Sequence, residues 1–274
     1  MKIHGITLVK NEADIIELFL QEASKWCDAI YVFDNGSEDD TWHRVRKVSE
    51  SLPDIIVPHA SRPCPFRNEL RAEVFQAFRE RAEAGDWWCR LDADEFYIDS
   101  PRTFLSQVPK RHHVVWSAHF QYYLTHEDVD RFKDSSECPI HEDFSSLPRH
   151  YACNASEARF FRHRKNLVWR DTNWPRHMGI NHPKRIRLKH YQYRSPGQIQ
   201  KRLDTRRQAK AQGYDNFSHS LEESWVDKLA NAEKLHKDDR THAYAYREED
   251  LPNHLEKTPV RLLKYFLHGT GIWP

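Results

Sequence analysis

One stretch joins an apolar segment to a cluster of carboxylates: Trp87-Trp88-Cys89-Arg90-Leu91-Asp92-Ala93-Asp94-Glu95-Phe96. Its first five residues predict a buried β-strand, and acidic side chains follow directly. In an open α/β sheet, ligands bind at the carboxyl ends of the strands, where this cluster lies. Burying like charges together is costly, and a hard divalent cation with oxygen ligands is the usual compensation. A helix N-cap before residues 101–108 is the alternative interpretation, although an N-cap needs one Asp rather than two.

The chain before this stretch alternates short apolar runs with helical patterns. We predict strands over 3–9, 29–33, 54–58 and 87–91, separated by helices over 12–25, 41–48 and 68–84. Such alternation implies right-handed crossovers between neighbouring strands. The expected fold class is therefore α/β, with a doubly wound, mainly parallel sheet and helices on both faces.

The pattern changes after about residue 110. We predict strands over 113–123 and 185–193, an irregular segment over 124–158, a hairpin over 159–170, and helices over 196–212, 221–237 and 259–274. This organisation divides the chain into an α/β half (1–110), a second half of the same domain (111–215) and a C-terminal helical extension (216–274). In the tail, apolar residues stand beside Arg261 and Lys264. The tail predicts a docked helix, or alternatively contact with a membrane surface or a partner.

Composition excludes several common classes of protein. The 274 residues include only eight Gly, which form neither the G-x-G-x-x-G dinucleotide motif nor a P-loop, and the zinc-protease motif H-E-x-x-H is absent. The five Cys include no C-x-x-C pair, which argues against a cysteine-based zinc or thioredoxin-like site. Their odd number favours reduced thiols. With no run resembling a signal peptide near Met1, we expect a cytoplasmic protein.

Charge is distributed very unevenly. The net charge is +1, yet residues 159–210 contain sixteen Lys and Arg but only Asp171 and Asp204 as acids. Such separation indicates an anionic partner on one face. A solvated basic helix over 201–210 is one alternative. A nucleic-acid-binding or glycan-binding protein without turnover is the main non-enzymatic one, although it leaves the acidic cluster without a purpose.

A second polar loop also follows a predicted strand: Asp34-Asn35-Gly36-Ser37-Glu38-Asp39-Asp40-Thr41. Together with Leu8-Val9-Lys10-Asn11-Glu12 before it and Asp92-Ala93-Asp94 after it, this loop resembles the nucleotide-sugar domain of family 2 glycosyltransferases with the GT-A fold. The resemblance covers about residues 1–110, with the motifs in the family's order. It implies transfer of a sugar from a nucleoside-diphosphate donor, most commonly a UDP-sugar, to a glycan or lipid-linked hydroxyl, with inversion.

The resemblance also implies roles for individual residues. Asp34 and Asp39 would contact the nucleoside, Asn11 and Glu12 would lie beside the nucleotide, and Arg67 would lie near the base or ribose. Asp92 would lie by the ribose and diphosphate, and Asp92 and Asp94 would hold Mn²⁺ or Mg²⁺. A later segment, residues 187–195, is similar to a family segment that completes this site. From it we expect His190 as the third metal ligand and Lys189 and Arg194 at the diphosphate. No nucleic-acid partner is expected, and contact of the C-terminal helix with the inner membrane surface is an alternative to a fully cytoplasmic protein.

The catalytic base is the least determined residue. A carboxylate must deprotonate the acceptor hydroxyl. We choose Asp171, because it is one of two acids in the basic stretch, and leave Glu157 and the pairs Glu127-Asp128 and Glu142-Asp143 as alternatives. A sugar-nucleotide nucleotidyltransferase is a further enzymatic alternative, but such enzymes carry a Gly-rich N-terminal loop that this chain lacks.

Overall fold

The computed structural model describes residues 1–64, 67, 69–130, 144–211 and 222–274. The chain forms two compact units, each assembled from separate segments. Unit 1 comprises Met1–His119, Ala155–Leu188 and Leu251–Pro274, and unit 2 comprises Phe120–Asn154 and Lys189–Asp250. The division at residues 110 and 215 stays a prediction.

The first third of the chain, which belongs to unit 1, has the predicted alternation of strands and helices. Its elements are β1 (Ile3–Val9), α1 (Ile16–Ser24), β2 (Ala29–Asp34), α2 (Thr41–Ser51), β3 (Ile56–Ser61), α3 (Leu70–Phe78) and β4 (Trp87–Leu91). β1 pairs in parallel with both β2 and β4, and β2 pairs in parallel with β3. The α/β prediction is confirmed, and the bounds of β1 and β4 coincide with those expected.

The remaining elements are shorter or more widely spaced. They are β5 (Glu95–Tyr97), α4 (Pro101–Ser106), β6 (Val114–Tyr123), α5 (His126–Val129), β7 (His150–Arg162), β8 (Ile186–His190), α6 (Pro196–Ala211), β9 (His236–Lys237) and α7 (Thr258–Gly269). Neighbouring strands follow the order β3-β2-β1-β4-β7-β6-β8-β5, and β9 pairs with β7. β7 runs antiparallel to β4, so the parallel part of the sheet ends at β4.

The order β3-β2-β1-β4 creates a switch point between β1 and β4. From β1 the chain moves outward to β2 and β3, and then returns to the other side of β1. With right-handed crossovers, α1 and α2 cover one face and α3 the other. In agreement, α1 packs against α2, and α3 packs over β1. In doubly wound sheets the crevice at the carboxyl ends of such a strand pair is where ligands bind.

The core of unit 1 is apolar and rich in aromatic rings. Under α3, Tyr31, Phe75, Trp88 and Trp169 are all completely buried in one cluster. Gly5 in the middle of β1 has no room for a side chain, because a Cβ there would overlap the Cδ1 of Leu91 on β4. β1 therefore packs closely against the side chain directly before Asp92.

Three predictions for the second half were wrong. Residues 124–158 include α5 and most of β7, and the expected hairpin over 159–170 is replaced by the end of β7 at Arg162. β7 is polar in its first half, so its pairing with neighbouring strands outweighs weak strand propensity.

The predicted helix over 221–237 was also wrong. Its described residues form two 3₁₀ turns, Trp225–Lys228 and Ala232–Lys234, followed by β9. Ser224 Oγ accepts from the backbone N–H of Val226, and Asn231 Oδ1 accepts from that of Glu233. Such local side-chain bonds favour turns over a continuous helix.

Unit 2 has a small core of its own, in which Leu124, Ile199 and Leu203 are buried against Tyr193, Trp225 and Leu229. None of the helices in the described part of either unit combines the length and hydropathy that a membrane span requires.

Candidate active site

The polar residues predicted from the first 110 residues lie along one edge of the unit 1 sheet. Asp34 is the last residue of β2, Asn11 comes two residues after β1, and Asp92 directly follows β4. Because these strands are parallel and in register from Thr7–Leu91 to Val9–Asp34, their carboxyl ends meet at the same edge. These three residues therefore share the edge of the sheet that contains the switch point between β1 and β4, with Asn11 and Asp92 at the switch point itself.

Asn11 and Glu12 connect the loops that follow β1 and β2. Asn11 adopts a left-handed backbone conformation with a φ of 56°. Its Oδ1 accepts from the N–H of Glu38 at 2.9 Å, and its own N–H donates to Ser37 Oγ at 2.9 Å. The N–H of Glu12 donates to Thr41 Oγ1 at 2.8 Å. Asn11 thus holds these two loops together. Contact of Asn11 or Glu12 with a nucleotide stays a prediction.

Asp34 is completely buried and bonded to hydroxyl groups from two loops. Ser37 Oγ donates to its Oδ1 at 2.5 Å, and Ser61 Oγ donates to its Oδ2 at 2.6 Å. The intervening Gly36 has a φ of 71°, and a Cβ there would overlap Pro63. Only glycine suits this turn without strain. Asp34 therefore organises the β2 loop, and its contact with a nucleoside stays a prediction.

Asp39 shapes the start of α2. Its Oδ1 accepts from the N–H of Thr41 at 3.0 Å and from Thr41 Oγ1 at 2.5 Å. Thr41 is buried and in turn accepts from Glu12. Asp39 therefore holds the first turn of α2 against the loop after β1, whether or not a nucleoside is bound.

We expect Asp39→Ala to lower the free energy of unfolding by about 1 kcal/mol, the usual cost of losing a carboxylate at a helix start. Chemical denaturation measures this loss. Asp40→Ala is the matched control, because the neighbouring Asp40 is exposed and makes no side-chain capping bond. Equal losses in both variants would contradict the structural role of Asp39.

Asp92 is surrounded by guanidinium groups. Arg71 of α3 pairs with its Oδ1, while Arg159 Nη1 lies 3.1 Å and Arg90 Nε 4.0 Å from its Oδ2. Burial alone would raise the pKa of this carboxyl, but Arg71, Arg159 and Arg90 outweigh it and hold the pKa far below its usual range. Asp92 is therefore ionised and held in position by arginine.

Asp94 and Glu95 continue the carboxylate cluster. Both are buried, and Asp94 lies close enough to Asp92 to raise its pKa. Arg159 bridges the cluster, because its Nη2 pairs with Glu95 while its Nη1 faces Asp92. The Nδ1 of His119 lies 3.9 Å from Glu95 Oε1. The carboxylates are thus interleaved with buried basic groups.

A cleft of about 540 Å³ adjoins α3. It is lined by Arg67, Glu69, Leu70, Ala72, Glu73, Gln76, Arg170 and Asp171. Two residues predicted from sequence, Arg67 and Asp171, therefore face the same cleft. α3 connects this cleft with the carboxylate cluster, because Arg71 extends from the same turn of the helix to Asp92.

The loop that carries Asp171 is anchored to the unit 1 core. Trp169 is fully buried and donates from Nε1 to the carbonyl of Thr172 at 2.7 Å. Trp174, farther along, packs its ring under Arg90 at 5.2 Å. Arg90 also faces Asp92, so this loop is linked to the carboxylate cluster. Asp171 itself is exposed at the cleft.

The alternative base candidates lie in different environments. Asp128 is buried and accepts from the N–H and Oγ1 of Thr125 in a capping box, so it serves α5. Glu157 is half exposed and faces Arg90 and Arg159 at 3.7 and 3.6 Å. The pair Glu142-Asp143 lies outside the described residues, as does Asn68 beside Arg67.

Many of the basic side chains between residues 159 and 210 have internal partners. Arg162 bonds the carbonyl of His112, Arg164 those of His177 and Met178, and Arg185 that of Pro252. Arg187 pairs with Asp99 at 2.6 Å. These groups stabilise the fold, which weakens the charge argument for a nucleic-acid surface.

The residues predicted from the later segment belong to unit 2. Lys189 pairs with Asp238 at 2.8 Å, and buried Arg194 donates from Nη1 to the carbonyl of Tyr191 at 3.0 Å. Tyr191 is itself buried. His190, the last residue of β8, is partly buried. Diphosphate contact by Lys189 and Arg194 and metal binding by His190 stay predictions.

Sequence reasoning missed three charged residues that the structure makes central. Arg71 shares the apolar face of α3 with Val74, Phe75 and Phe78. An arginine within an apolar helix face was the one signal in the sequence that could have indicated a buried charge there. Arg159 stands before the buried pair Phe160-Phe161 in β7. Asp238 holds Lys189 and accepts from Tyr122 Oη, but no sequence pattern distinguished it.

Comparison with known proteins gives structural neighbours only. No protein-family model matches the sequence, and no curated protein matches it. The chain is similar to a mannosyltransferase from Pyrobaculum calidifontis in complex with GDP-Man and Mn²⁺, with 13% identity, 77% of this chain and 64% of that chain covered, and a TM-score of 0.40.

Two further solved structures show weaker overlap. Glucosyl-3-phosphoglycerate synthase from Mycobacterium tuberculosis, in complex with Mn²⁺, UDP and glucosyl-3-phosphoglycerate, is 19% identical over 47% of this chain and 46% of that chain, with a TM-score of 0.28. A 4-diphosphocytidyl-2C-methyl-D-erythritol synthase is 13% identical over 59% and 75%, with a TM-score of 0.34. The chain spans less than two thirds of the mannosyltransferase and of the mycobacterial synthase. The α/β architecture therefore rests on this chain's own strand order.

Proposed function

We propose that this protein is a metal-dependent glycosyltransferase that uses a nucleoside-diphosphate sugar, with a UDP-sugar as the first candidate donor. The observation that carries the proposal is the position of Asp92 and Asp94 at the switch point of a doubly wound sheet. That edge is where such sheets bind nucleotides. The motif resemblance over residues 1–110 supports the same reaction independently of the geometry.

We place a divalent cation at the carboxylate cluster. Asp92 and Asp94 offer oxygen ligands, which Mg²⁺ and Mn²⁺ prefer. Because Asp92 is already paired with arginines, we assign the main metal contact to Asp94 and the ribose and diphosphate side to Asp92. When bound, the cation would stabilise the negative charge of the departing diphosphate.

Several residues carried from the motif resemblance belong to the same proposal. The nucleotide would contact Asn11 and Glu12 after β1, Asp34 and Asp39 at and after the end of β2, and Arg67 before α3. From the later segment we propose His190 as a metal ligand and Lys189 and Arg194 as diphosphate contacts.

We assign the acceptor to the cleft beside α3. The cleft holds an exposed carboxylate, Asp171, next to Arg170. A carboxylate in this position would accept the proton of the acceptor hydroxyl as it attacks the sugar with inversion. Trp174 belongs to the same loop, and its ring is suited to stack on a sugar face. A glycan or lipid-linked acceptor in polysaccharide or glycolipid assembly fits these groups.

We expect Asp171→Asn to abolish transfer while leaving the affinity for the donor nucleotide unchanged. The amide keeps the size of the side chain but cannot take the proton. Turnover of a nucleoside-diphosphate sugar with an acceptor measures the first effect, and isothermal titration with the nucleotide measures the second. Glu157→Gln is the comparison variant, because Glu157 is the alternative catalytic base. Loss of transfer in Glu157→Gln alone would move the base to Glu157.

The proposed function is tested by thermal shift with UDP-, GDP-, CMP- and dTDP-sugars, each with and without Mn²⁺. A donor that binds the folded protein raises the melting temperature, and a metal-bridged donor does so only when the cation is present. We expect one nucleotide to stabilise the protein in this metal-dependent way. Stabilisation by none of the four would refute the proposal, and stabilisation without turnover would indicate a sugar-nucleotide-binding protein.

A further inference from the structure

Helix α7 is docked on unit 1 through its polar side. Lys264 Nζ donates to the carbonyl of Gly179 at 2.9 Å and pairs with Glu256 at 2.6 Å. One turn later, the ring of His268 lies 5.0 Å from that of His113. Lys264 and His268 are four residues apart, so they share one face of the helix. The polar face therefore points toward the protein.

The opposite face of α7 is apolar and exposed. Leu262 and Phe266 are each 62% exposed, Leu263 is 55% exposed and Val260 is 47% exposed. At helical spacing these four side chains form one continuous stripe. A helix at a protein surface normally buries such a stripe, so this orientation is the reverse of the usual one. Contiguous exposed apolar surface of this kind marks an interaction site.

Cations outnumber acids on and directly before α7. Between residues 256 and 274 the sequence contains Lys257, Arg261 and Lys264, and Glu256 is the single acid. Lys264 is paired with Glu256 and shares the protein-facing side with half-buried Arg261, so exposed Lys257 is the cation of the three that is open to solvent. The helix and its flanking residues therefore carry a net positive charge.

We propose that the Val260–Phe266 stripe of α7 binds an anionic lipid surface. An apolar stripe on a helix of net positive charge suits the boundary between acyl chains and negatively charged headgroups. At 12 residues, α7 is about 18 Å long and suits lying in that boundary. A second copy of this chain is a poorer occupant. Pairing two α7 helices about a twofold axis would bring Lys257 and Arg261 of both copies together, because Glu256 compensates Lys264 alone.

The test is flotation of the full chain with two kinds of vesicle, phosphatidylcholine alone and phosphatidylcholine with phosphatidylglycerol. We expect binding to the anionic vesicles only. The double variant Leu262→Ser/Phe266→Ser should weaken that binding about tenfold or more, because it removes two of the largest apolar groups. Lys257→Gln and Arg261→Gln should each weaken it about fivefold. Val226→Ser changes an exposed apolar residue of unit 2 and should leave it unchanged.

Light scattering and melting temperature complete the design. All substituted side chains are partly or fully exposed, and an unchanged melting temperature shows that the variants fold. Failure to bind anionic vesicles, equal binding to both vesicle types, or full binding by the double variant would each overturn the proposal. A dimer that dissociates in the double variant, without vesicle binding, would assign the stripe to a second copy. None of these results depends on transferase activity.

Discussion

Asp94→Asn is expected to lower the rate of sugar transfer by at least about 10²–10³-fold. Asp94 is buried beside Asp92 at the end of β4, and the substitution removes the charge of the proposed oxygen ligand while keeping the volume of the side chain. Under the proposed mechanism, the departing diphosphate would then lose the cation that neutralises it. Steady-state turnover over a series of Mn²⁺ concentrations measures the effect.

The same variant should also lose the metal-linked rise in melting temperature with the donor. Asp99→Asn is the matched control, because Asp99 is a half-buried carboxylate that pairs with Arg187 and belongs to a neighbouring segment. This control should keep its metal dependence even if its stability falls. Wild-type turnover in Asp94→Asn would remove the metal from the proposed mechanism.

Arg159→Met is expected to lower the free energy of unfolding by about 3–5 kcal/mol. Arg159 is 2% exposed and pairs with both Asp92 and Glu95, and Glu95 is itself buried. Removing the guanidinium leaves a buried carboxylate without this compensation. Urea denaturation at about pH 7 measures the loss. Arg170→Met, which changes an exposed arginine of the same unit, should cost little.

Two further measurements separate this electrostatic cause from lost packing. Glu95→Gln added to Arg159→Met should recover part of the stability, because the amide is neutral. Without the arginine, burial disfavours the charged form of Glu95, so the variant gains stability relative to the wild type when this carboxylate takes up a proton at lower pH. The difference between the two proteins should therefore shrink at about pH 5. An unchanged difference, and no recovery in the double variant, would show that packing alone is responsible.

The fold of the first 110 residues was predictable because local pattern and tertiary structure agree there. β1 and β4 are short, mostly apolar and almost wholly buried segments of a sheet covered on both faces, and α2 begins after an acidic turn. The second half was harder. β7 places polar residues such as Asn154 and Glu157 in a long strand, so neither hydrophobic periodicity nor strand propensity predicted a strand before Ala158.

The acidic residues of the candidate site were predictable from the sequence, and its arginines were not. Asp34, Asp92 and Asp94 stand at strand ends, where sequence alone identifies the edge of the sheet. Arg71 and Arg159 reach the same edge from a helix and an antiparallel strand that are distant in sequence. Only the fold brings these opposite charges together, so their roles could not be derived from spacing.

The packing of Gly5 against Leu91 affects how a mutational scan of this protein should be interpreted. Any larger residue at position 5 would have to displace the Cδ1 of Leu91, the buried side chain directly before Asp92. Low activity scores at position 5 would then come from packing, although the position carries no reactive group. Abundance scores measured alongside activity would distinguish lost folding from lost chemistry.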